Sequence, residues 1–304
     1  MFMDKIIQQI DKANIGKIET DVPLNKHTTY KVGGIAKAFV YPKDVDSLVD
    51  LLKILKENDV KYKVMGNGSN LLFSDKEYNG IIIKLDEFVK VEFLNRNKIR
   101  VGAGFSLMKL SLMAARRGLA GLEFASGIPG TIGGAIFMNA GAYKSDMGYI
   151  VQQVKVLTPE LRIISLENKE MDFHYRTSYL QKNPGFICLE VILKLAKGDR
   201  EAIETVIKER RVRRMESQPL EYPSAGSVFR NPEGDFAGRL IEELGYKGHK
   251  NGGAMVSEKH ANFIINYDHA TGEEIKSLID EVHDKVFEKY NVDMKIEQEF
   301  VNWE

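Results

Sequence analysis

The segment YPSAGSVFRNP (222–232) holds a serine in surroundings that suit chemistry. Ser227 follows Gly226, and Arg230 and Asn231 come shortly after it. The pattern differs from the G-x-S-x-G turn that presents the nucleophilic serine of α/β hydrolases. No histidine lies near it in sequence, although the partners of a catalytic triad can come from distant positions. The local residues therefore do not favour a hydrolytic serine, and they leave its chemistry open.

Two loops with the pattern G-x-G follow predicted strands, at 66–71 and 102–107. Neither completes the G-x-G-x-x-G pattern of a Rossmann dinucleotide site. The first loop combines residues that tolerate positive φ with short polar side chains, so its N–H groups can surround a pyrophosphate. An ordinary tight turn explains this loop equally well, and it is the better explanation for the second loop. The first loop consists of Gly66, Asn67, Gly68, Ser69 and Asn70.

The segment GIPGTIGGAIFMNAGAY (127–143) is rich in glycine and alanine. It also contains large apolar residues such as Ile132 and Phe137, whereas flexible linkers are rich in serine and other polar residues. Small residues mixed with large apolar ones indicate a backbone packed closely against a flat apolar partner, with N–H groups at its edge. A buried planar cofactor and close backbone-on-backbone packing both satisfy this pattern, which does not separate them.

Other polar residues give weaker signals. Arg176 lies beside Tyr175 in DFHYRTS, and its guanidinium suits a carboxylate, although an exposed arginine at a strand end is the default interpretation. Glu299, in the terminal segment IEQEFV, is equally well explained as a solvated acid. The six histidines show no metal-ligand spacing, and the single cysteine, Cys188, lies in an apolar run. The sequence therefore predicts neither a metal site nor a disulfide.

The elements that must position these residues begin with alternating strands and helices. The strand AKAFVYP precedes a helix that starts after Asp44, and the strand KYKVM leads into the loop at 66–70. Ser106 is predicted to cap a second helix, ahead of the segment 127–143. From Asp199 a charged helix is predicted, and a solvated helix face explains its run of bases better than a phosphate site does.

The last hundred residues are predicted to form an α+β domain, with the main boundary near 200–217. Thr271 and Glu274 form a capping box before an amphipathic helix. The chain ends in a predicted strand over 292–303, which places Glu297 and Glu299 on one side.

Composition excludes several classes of protein. Acidic and basic residues balance at 43 each, which argues against binding to nucleic acid or to a membrane surface through bulk charge. Apolar residues make up 43% of the chain, enough for a substantial core. No apolar run approaches the ~20 residues that cross a bilayer, and the first residues lack the apolar stretch of a signal peptide. We expect a cytoplasmic protein.

Taken together, seven segments resemble one family, the UDP-N-acetylenolpyruvoylglucosamine reductases, which are flavoenzymes of peptidoglycan precursor synthesis. The likeness spans nearly the whole chain in the family's order. The chain lacks the extra insertion of the longer subclass, so it resembles the shorter one. The matching segments are NKHTTYKVGG (25–34), MGNGSNLL (65–72), the glycine-rich segment (127–143), YRTS (175–178), QPLEYPSAGSVFRNP (218–232), AGRLIEELGYKG (237–248) and VSEKHANFIIN (256–266).

The resemblance implies an α+β fold in two parts. An FAD-binding region of the vanillyl-alcohol-oxidase type is expected over 1–205, made of α+β subdomains at about 1–86 and 87–205. A separate α+β substrate-binding domain is expected over 206–298. The C-terminal strand, 299–304, is expected to return to the FAD-binding region.

The resemblance also implies how FAD is held. The loop at 66–70 is expected to bind the pyrophosphate, and the glycine-rich segment to wrap pyrophosphate and isoalloxazine, which favours a cofactor as its flat partner. Binding is expected to be non-covalent, because MGNGSN contains no histidine or cysteine for a flavin linkage. The cofactor-binding residues implied are Gly66, Asn67, Gly68, Ser69, Asn70, Gly127, Gly130, Thr131, Gly133, Gly134, Ala135, Asn139, Gly141 and Ala142.

The implied reaction gives the serine a role. NADPH reduces the flavin, and hydride then passes from flavin N5 to the enolpyruvyl methylene carbon of UDP-N-acetylglucosamine enolpyruvate. Arg176 is expected at the carboxylate, Glu299 assists, and Ser227 gives its proton to the carbanion. A carbanion is basic enough to take a proton from a hydroxyl, so this serine needs no histidine. The implied substrate contacts are Tyr175, Arg230 and Asn231.

Two departures from the family pattern affect these assignments. The family's C-terminal glutamate usually precedes valine and arginine, whereas Phe300 follows here, and we assign the role to Glu299 rather than Glu297. Arg230 stands where lysine is common.

The alternative functions are an FAD-dependent oxidase of another sugar or alcohol, and a nucleotide-sugar-binding protein without turnover. We expect a monomer whose partner is its small-molecule substrate.

Overall fold

The computed structural model describes residues 2–95 and 97–304, and helices and strands alternate irregularly along them, which confirms the predicted α+β class. Contacts between residues divide the chain into two units that are interleaved in sequence. The assignment of 1–205 to FAD and 206–298 to substrate concerns ligands and stays a prediction. The first unit comprises the residues up to Thr20, Lys37–Gly66 and Asn79–Val212; the second comprises Asp21–Ala36, Asn67–Tyr78 and Arg213–Glu304.

Short polar side chains begin several helices, as the sequence predicts. The carboxylate of Asp44 accepts a hydrogen bond from the N–H three residues later at 2.8 Å, and Ser106 does the same at 3.3 Å. Thr271 and Glu274 form the predicted capping box. Such caps contribute about 1 kcal/mol each. The helices are α1 (Phe2–Lys12), α2 (Val45–Glu57), α3 (Leu107–Ala115), α4 (Ile132–Phe137), α5 (Tyr179–Lys182), α6 (Arg200–Ser217), α7 (Ala237–Glu243) and α8 (Gly272–Tyr290), with 3₁₀ turns at Leu24–Lys26, Glu123–Gly127, Met147–Tyr149 and Asn168–Met171.

The strands are short, and most of them pair antiparallel. Their bounds are β1 (Gly16–Pro23), β2 (Ile35–Pro42), β3 (Tyr62–Val64), β4 (Leu71–Phe73), β5 (Tyr78–Ile83), β6 (Val91–Leu94), β7 (Lys98–Gly102), β8 (Leu119–Ala120), β9 (Gly141–Ala142), β10 (Ser145–Asp146), β11 (Val151–Leu157), β12 (Ile163–Glu167), β13 (Ile187–Lys194), β14 (Ala196–Lys197), β15 (Lys250–Asn251), β16 (Ala254–Val256), β17 (Ile264–Asn266) and β18 (Glu299–Val301).

The first unit is built on a five-stranded antiparallel sheet in the order β12-β11-β13-β7-β6. Alternating apolar residues of β7 and β13 are fully buried, among them Val101 and Val191, which face each other across the two strands. Burial of a side chain of this kind contributes roughly 1.5–3 kcal/mol. In β3 and β5, Val64 pairs with Ile83 in parallel, and both strands lead toward the start of the loop at 66.

The second unit has its own apolar core. The antiparallel sheet β15-β16-β17 and helix α8 bury residues that include Tyr30 and Phe229. Strand β18 pairs in parallel with β4, Glu299 opposite Leu71. The predicted strand over 292–303 is therefore too long, since only Glu299–Val301 forms one. The residues before it hydrogen-bond to a loop, where Glu297 N–H donates to the Val228 carbonyl at 2.8 Å.

No helix within the described residues is long and apolar enough to cross a membrane.

Candidate active site

The loop at 66–70 begins in a tightly enclosed position. A Cβ atom on Gly66 would lie 2.5 Å from Thr131 Oγ1, so only glycine fits there. On the other side, the Lys84 ammonium donates a hydrogen bond to the Gly66 carbonyl. Further along the loop, Gly68 has a φ of +64°, as the sequence predicts for a residue of such a turn. The end of the loop belongs to the second unit, where the Asn70 side chain donates to the Glu297 carbonyl at 3.1 Å.

The glycine-rich segment supports both explanations offered for it. Gly133 lies against Ala103: a Cβ added to the glycine would be only 3.1 Å from the alanine Cβ, and the glycine N–H donates to the Ala103 carbonyl at 2.8 Å. Gly141 is closed in by Asp146 in the same way. Gly134, by contrast, is exposed and meets nothing nearer than Thr131 Oγ1 at 3.5 Å. Close packing therefore accounts for some of these glycines, and others leave the backbone open to a ligand.

The Asn139 side chain makes hydrogen bonds within the protein. It is buried, its Oδ1 accepts from Gly148 N–H at 2.9 Å, and its Nδ2 donates to the His174 carbonyl at 2.8 Å. The side chain thus ties the glycine-rich segment to the YRTS turn. A contact between Asn139 and a cofactor would have to come from its backbone.

Arg176 occupies the tip of a narrow turn. His174 and Thr177 exchange backbone hydrogen bonds of 3.0 Å on either side of it, and Arg176 itself has a φ of +53°. An L-residue rarely adopts this left-handed conformation, which persists only where the surroundings enforce it. The Gln181 amide enforces it here, since its Nε2 donates to the carbonyls of Arg176 and Phe137 at 3.1 and 2.9 Å.

The side chains at this tip point away from the core. Tyr175 is half exposed, and the Arg176 guanidinium carbon lies 5.3 Å from the centre of its ring. A guanidinium near an aromatic ring is held by a weak cation–π attraction. The arrangement suits a planar carboxylate.

Ser227 is fixed by the backbone on both sides of it. Gly226 has a φ of +79°, and a Cβ added there would meet nothing within 4 Å, so conformation rather than crowding requires glycine. After the serine, Val228 N–H donates to the Asn262 carbonyl at 2.9 Å. The Asn262 side chain also exchanges hydrogen bonds with the backbone of Phe229, at 3.0 and 2.8 Å.

A buried pair of side chains, Gln298 and Tyr30, completes this support. Gln298 Nε2 lies 3.3–3.4 Å from three successive carbonyl oxygens, those of Ala225, Gly226 and Ser227. Its Oε1 accepts from the Tyr30 hydroxyl at 3.1 Å. Gln298 is 5% exposed and Tyr30 is 0% exposed, and burial raises the tyrosine pKa far above its ordinary value. No local sequence pattern indicates this pair.

The Ser227 hydroxyl makes no hydrogen bond to any residue that the structure describes. Its proton is therefore not committed to an acceptor within 2–95 and 97–304. The side chain is half-buried, between the buried residues Ala225 and Val228.

Three further predicted residues lie in the same unit as Ser227. Glu299 N–H donates to the Asn70 carbonyl at 2.9 Å, which connects the terminal strand to the loop at 66–70. Arg230 N–H donates to the Lys295 carbonyl at 2.8 Å. Asn231 Oδ1 accepts from Ala237 N–H at 3.1 Å, so this side chain supports the start of α7.

The structure thus gathers the predicted residues into two sets. Thr131, Tyr175 and Arg176 belong to the first unit, and Ser227, Asn231 and Glu299 belong to the second. Among the described residues, no group of three or more histidine, cysteine, aspartate or glutamate side chains could hold a metal. Cys188 is buried, and burial raises its pKa to about 12, so it is not a nucleophile.

Comparison with known proteins identifies the family. A family model described as UDP-N-acetylenolpyruvoylglucosamine reductase, C-terminal domain, matches residues 218–301, and one described as FAD binding domain matches 36–167. A protein of the first name from Halalkalibacterium halodurans is 44% identical over 299 residues, covering 98% of this chain and 99% of that protein. The protein of that name from Bacillus subtilis is 42% identical over 299 residues, with the same coverage. The chain belongs to this family.

A solved structure agrees. The crystal structure of UDP-N-acetylenolpyruvylglucosamine reductase from Thermus caldophilus superimposes with a TM-score of 0.78 at 35% identity, covering 93% of this chain and 98% of that one. The predicted family and fold are confirmed, and the chain is an oxidoreductase that uses FAD. Its residues fit that cofactor: an enclosed glycine at 66, the buried ammonium of Lys84 behind it, and exposed backbone at Gly134.

Proposed function

We propose that this chain reduces UDP-N-acetylglucosamine enolpyruvate to UDP-N-acetylmuramate in the cytoplasm, with NADPH as reductant and non-covalent FAD as carrier. The observation that carries the proposal is the Ser227 hydroxyl, which is held by its backbone and keeps its proton uncommitted among the described residues. A nucleophilic serine requires a base within hydrogen-bond reach. A serine that acts as an acid toward a carbanion needs no such base, and the backbone around this serine is held in place.

The chemistry that FAD supplies when bound is hydride transfer, from NADPH to the methylene carbon of the enolpyruvyl group. The π-electron pair of the C=C bond then lies on the carbon beside the carboxylate. Arg176 holds that carboxylate with its planar fork and stabilises the charge that spreads onto it. The Gln181 amide holds the backbone carbonyl of Arg176, and this backbone conformation sets the direction in which the side chain leaves the turn.

Ser227 completes the reaction by donating its O–H proton to the carbon beside the carboxylate. A new C–H bond forms, the O–H bond breaks, and the serine oxygen recovers a proton from solvent. Glu299 assists, with Glu297 as the alternative on the same segment. Tyr175, Arg230 and Asn231 bind the nucleotide-sugar. NADPH leaves as NADP⁺, so one hydride and one proton have been added across the double bond.

Two anaerobic measurements test this proposal. The purified protein should be yellow and should release FAD on denaturation. NADPH should bleach the flavin, and UDP-N-acetylglucosamine enolpyruvate should restore its colour with formation of one equivalent of UDP-N-acetylmuramate. Reduction of the flavin by another sugar or alcohol, with no reoxidation of the reduced flavin by the enolpyruvyl compound, would overturn it. Light scattering after gel filtration tests the expected monomer.

A further inference from the structure

Lys84 is a charged residue in an apolar position. It follows directly on strand β5, and its backbone N–H donates to the Val40 carbonyl at 3.0 Å. Its side chain is only 8% exposed. Lysine is almost never buried to this extent without a strong partner, because taking an ammonium out of water is costly.

The partners that Lys84 has do little to offset that cost. One is the neutral carbonyl of Gly66, to which its ammonium donates. The other is Asp86, whose carboxylate oxygen is 3.6 Å away and whose side chain is half exposed. An ion pair at this distance with one partner in water contributes little. Burial therefore lowers the Lys84 pKa, and Asp86 only partly opposes that shift.

Lys84 is connected to the loop at 66–70 through the Gly66 carbonyl. The Gly66 carbonyl points toward the ammonium, and in a trans peptide the following N–H points the opposite way. Thr131 closes the other flank of Gly66, so this peptide has little freedom to turn. Lys84 thus fixes the orientation of the Asn67 N–H, which points away from the ammonium, and places a positive charge on the carbonyl side of the same peptide.

We propose that Lys84 is a positioning residue for the FAD pyrophosphate, which it attracts from beneath the loop without touching it. The proposal rests on the loop at 66–70 being the pyrophosphate site. A cation in a medium of low dielectric acts on an anion several ångströms away. The charge destabilises the protein without FAD and is compensated when the pyrophosphate binds.

We expect Lys84→Met to lower FAD affinity without lowering the stability of the FAD-free protein. FAD affinity should fall roughly tenfold to a hundredfold, because one buried charge facing a diphosphate is lost. The unfolding midpoint of the FAD-free protein in urea should stay the same or rise, because an apolar side chain of similar length replaces a buried charge. FAD binding is measured by fluorescence titration of the apoprotein.

Lys53→Met is the matched control. Lys53 also pairs with an aspartate, Asp50 at 2.9 Å, but is 54% exposed on helix α2 of the same unit. The Lys53→Met substitution should leave both the FAD affinity and the stability of the protein unchanged. Repeating the titration in about 0.5 M NaCl should preserve the difference between Lys84→Met and wild type, since buried charges are screened little.

Two results would overturn the proposal. Unchanged FAD affinity in Lys84→Met would show that the Lys84 charge does not attract the pyrophosphate. A large loss of apoprotein stability in that variant would instead make Lys84 a structural support of the loop. In that case Lys84→Gln, which keeps a hydrogen-bond donor but no charge, would recover FAD affinity. A wild-type protein that binds FAD but fails to reduce the enolpyruvyl substrate contradicts the proposed reaction and leaves this inference standing.

Discussion

The Ser227 loop of the second unit and the Arg176 turn of the first are held by the same device, a glutamine amide that donates to backbone carbonyls. They differ in which residue carries the unusual conformation. In the serine loop Gly226 has the positive φ, which costs glycine little. In the arginine turn Arg176 itself has the positive φ, which costs such a residue ~1–3 kcal/mol.

The two amides also differ in burial. Gln298 lies in the core of the second unit with Tyr30 behind it, whereas Gln181 is half-buried at the surface of the first. Under the proposed roles, the serine needs a precise location and the arginine a pre-set orientation. A proton donor must meet one carbon atom, while a guanidinium can follow a carboxylate over a wider range. Three predictions test the serine side of this contrast.

The largest effect is expected for Ser227→Ala. Reoxidation of the reduced flavin by the enolpyruvyl substrate should slow by at least ~10²-fold, which is typical of a lost general acid. Reduction by NADPH should stay nearly intact, and substrate affinity should change little, because the hydroxyl acts on the carbanion alone. Stopped-flow absorbance of the flavin separates the two half-reactions. Equal damage to both would indicate that the serine has a structural or binding role.

A smaller effect is expected for Tyr30→Phe, which removes only the hydroxyl that holds Gln298. Reoxidation should slow by roughly tenfold through misplacement of the Ser227 loop. The free energy of unfolding should fall by about 1 kcal/mol, the net value of one hydrogen bond. Tyr290→Phe is the control, since its hydroxyl makes a long exposed contact with Glu243 in the same unit. A Tyr30→Phe enzyme with wild-type reoxidation would show that the serine loop is rigid without the pair.

The smallest effect is expected for Gly226→Ala. The added methyl group meets open space, so the cost comes from the positive φ alone and should be roughly 1–2 kcal/mol of unfolding free energy. Gly245 has nearly the same φ, +77° against +79°, and equally open space, which makes Gly245→Ala a matched control. Both variants should lose the same stability, but only Gly226→Ala should slow reoxidation, by a few-fold. Identical kinetics in the two would mean that the Gly226 conformation does not position the serine.

Local patterns predicted much of the molecule. The caps at Asp44, Ser106 and Thr271 start helices where expected, because capping depends on residues three positions apart. The positive φ of Gly68 also follows from residue type. The glycine-rich segment was ambiguous because a glycine required by a neighbouring Ala103 cannot be told in sequence from one that faces a ligand.

The residues that sequence reasoning missed act over long separations. Tyr30 and Gln298 are 268 positions apart, and Gln298 reaches the Ser227 carbonyl across 71 positions. Lys84 looks like the polar end of an apolar strand until its burial is known. The final strand was predicted too long because alternation of apolar residues reports burial, whereas strand pairing depends on which backbone lies opposite.

The interleaving of the two units has a consequence for how this protein is made. Residues 21–36 and 67–78 leave the ribosome early, yet their partners in the second unit lie in 213–304. Strand β4 cannot pair until β18 exists, and Tyr30 meets Gln298 only after the 268 positions that separate them have been translated. Closing loops of this length is slow and entropically costly. Nascent chains that stop before Gln298 and β18 should therefore lack a formed serine loop, so activity requires synthesis of this segment.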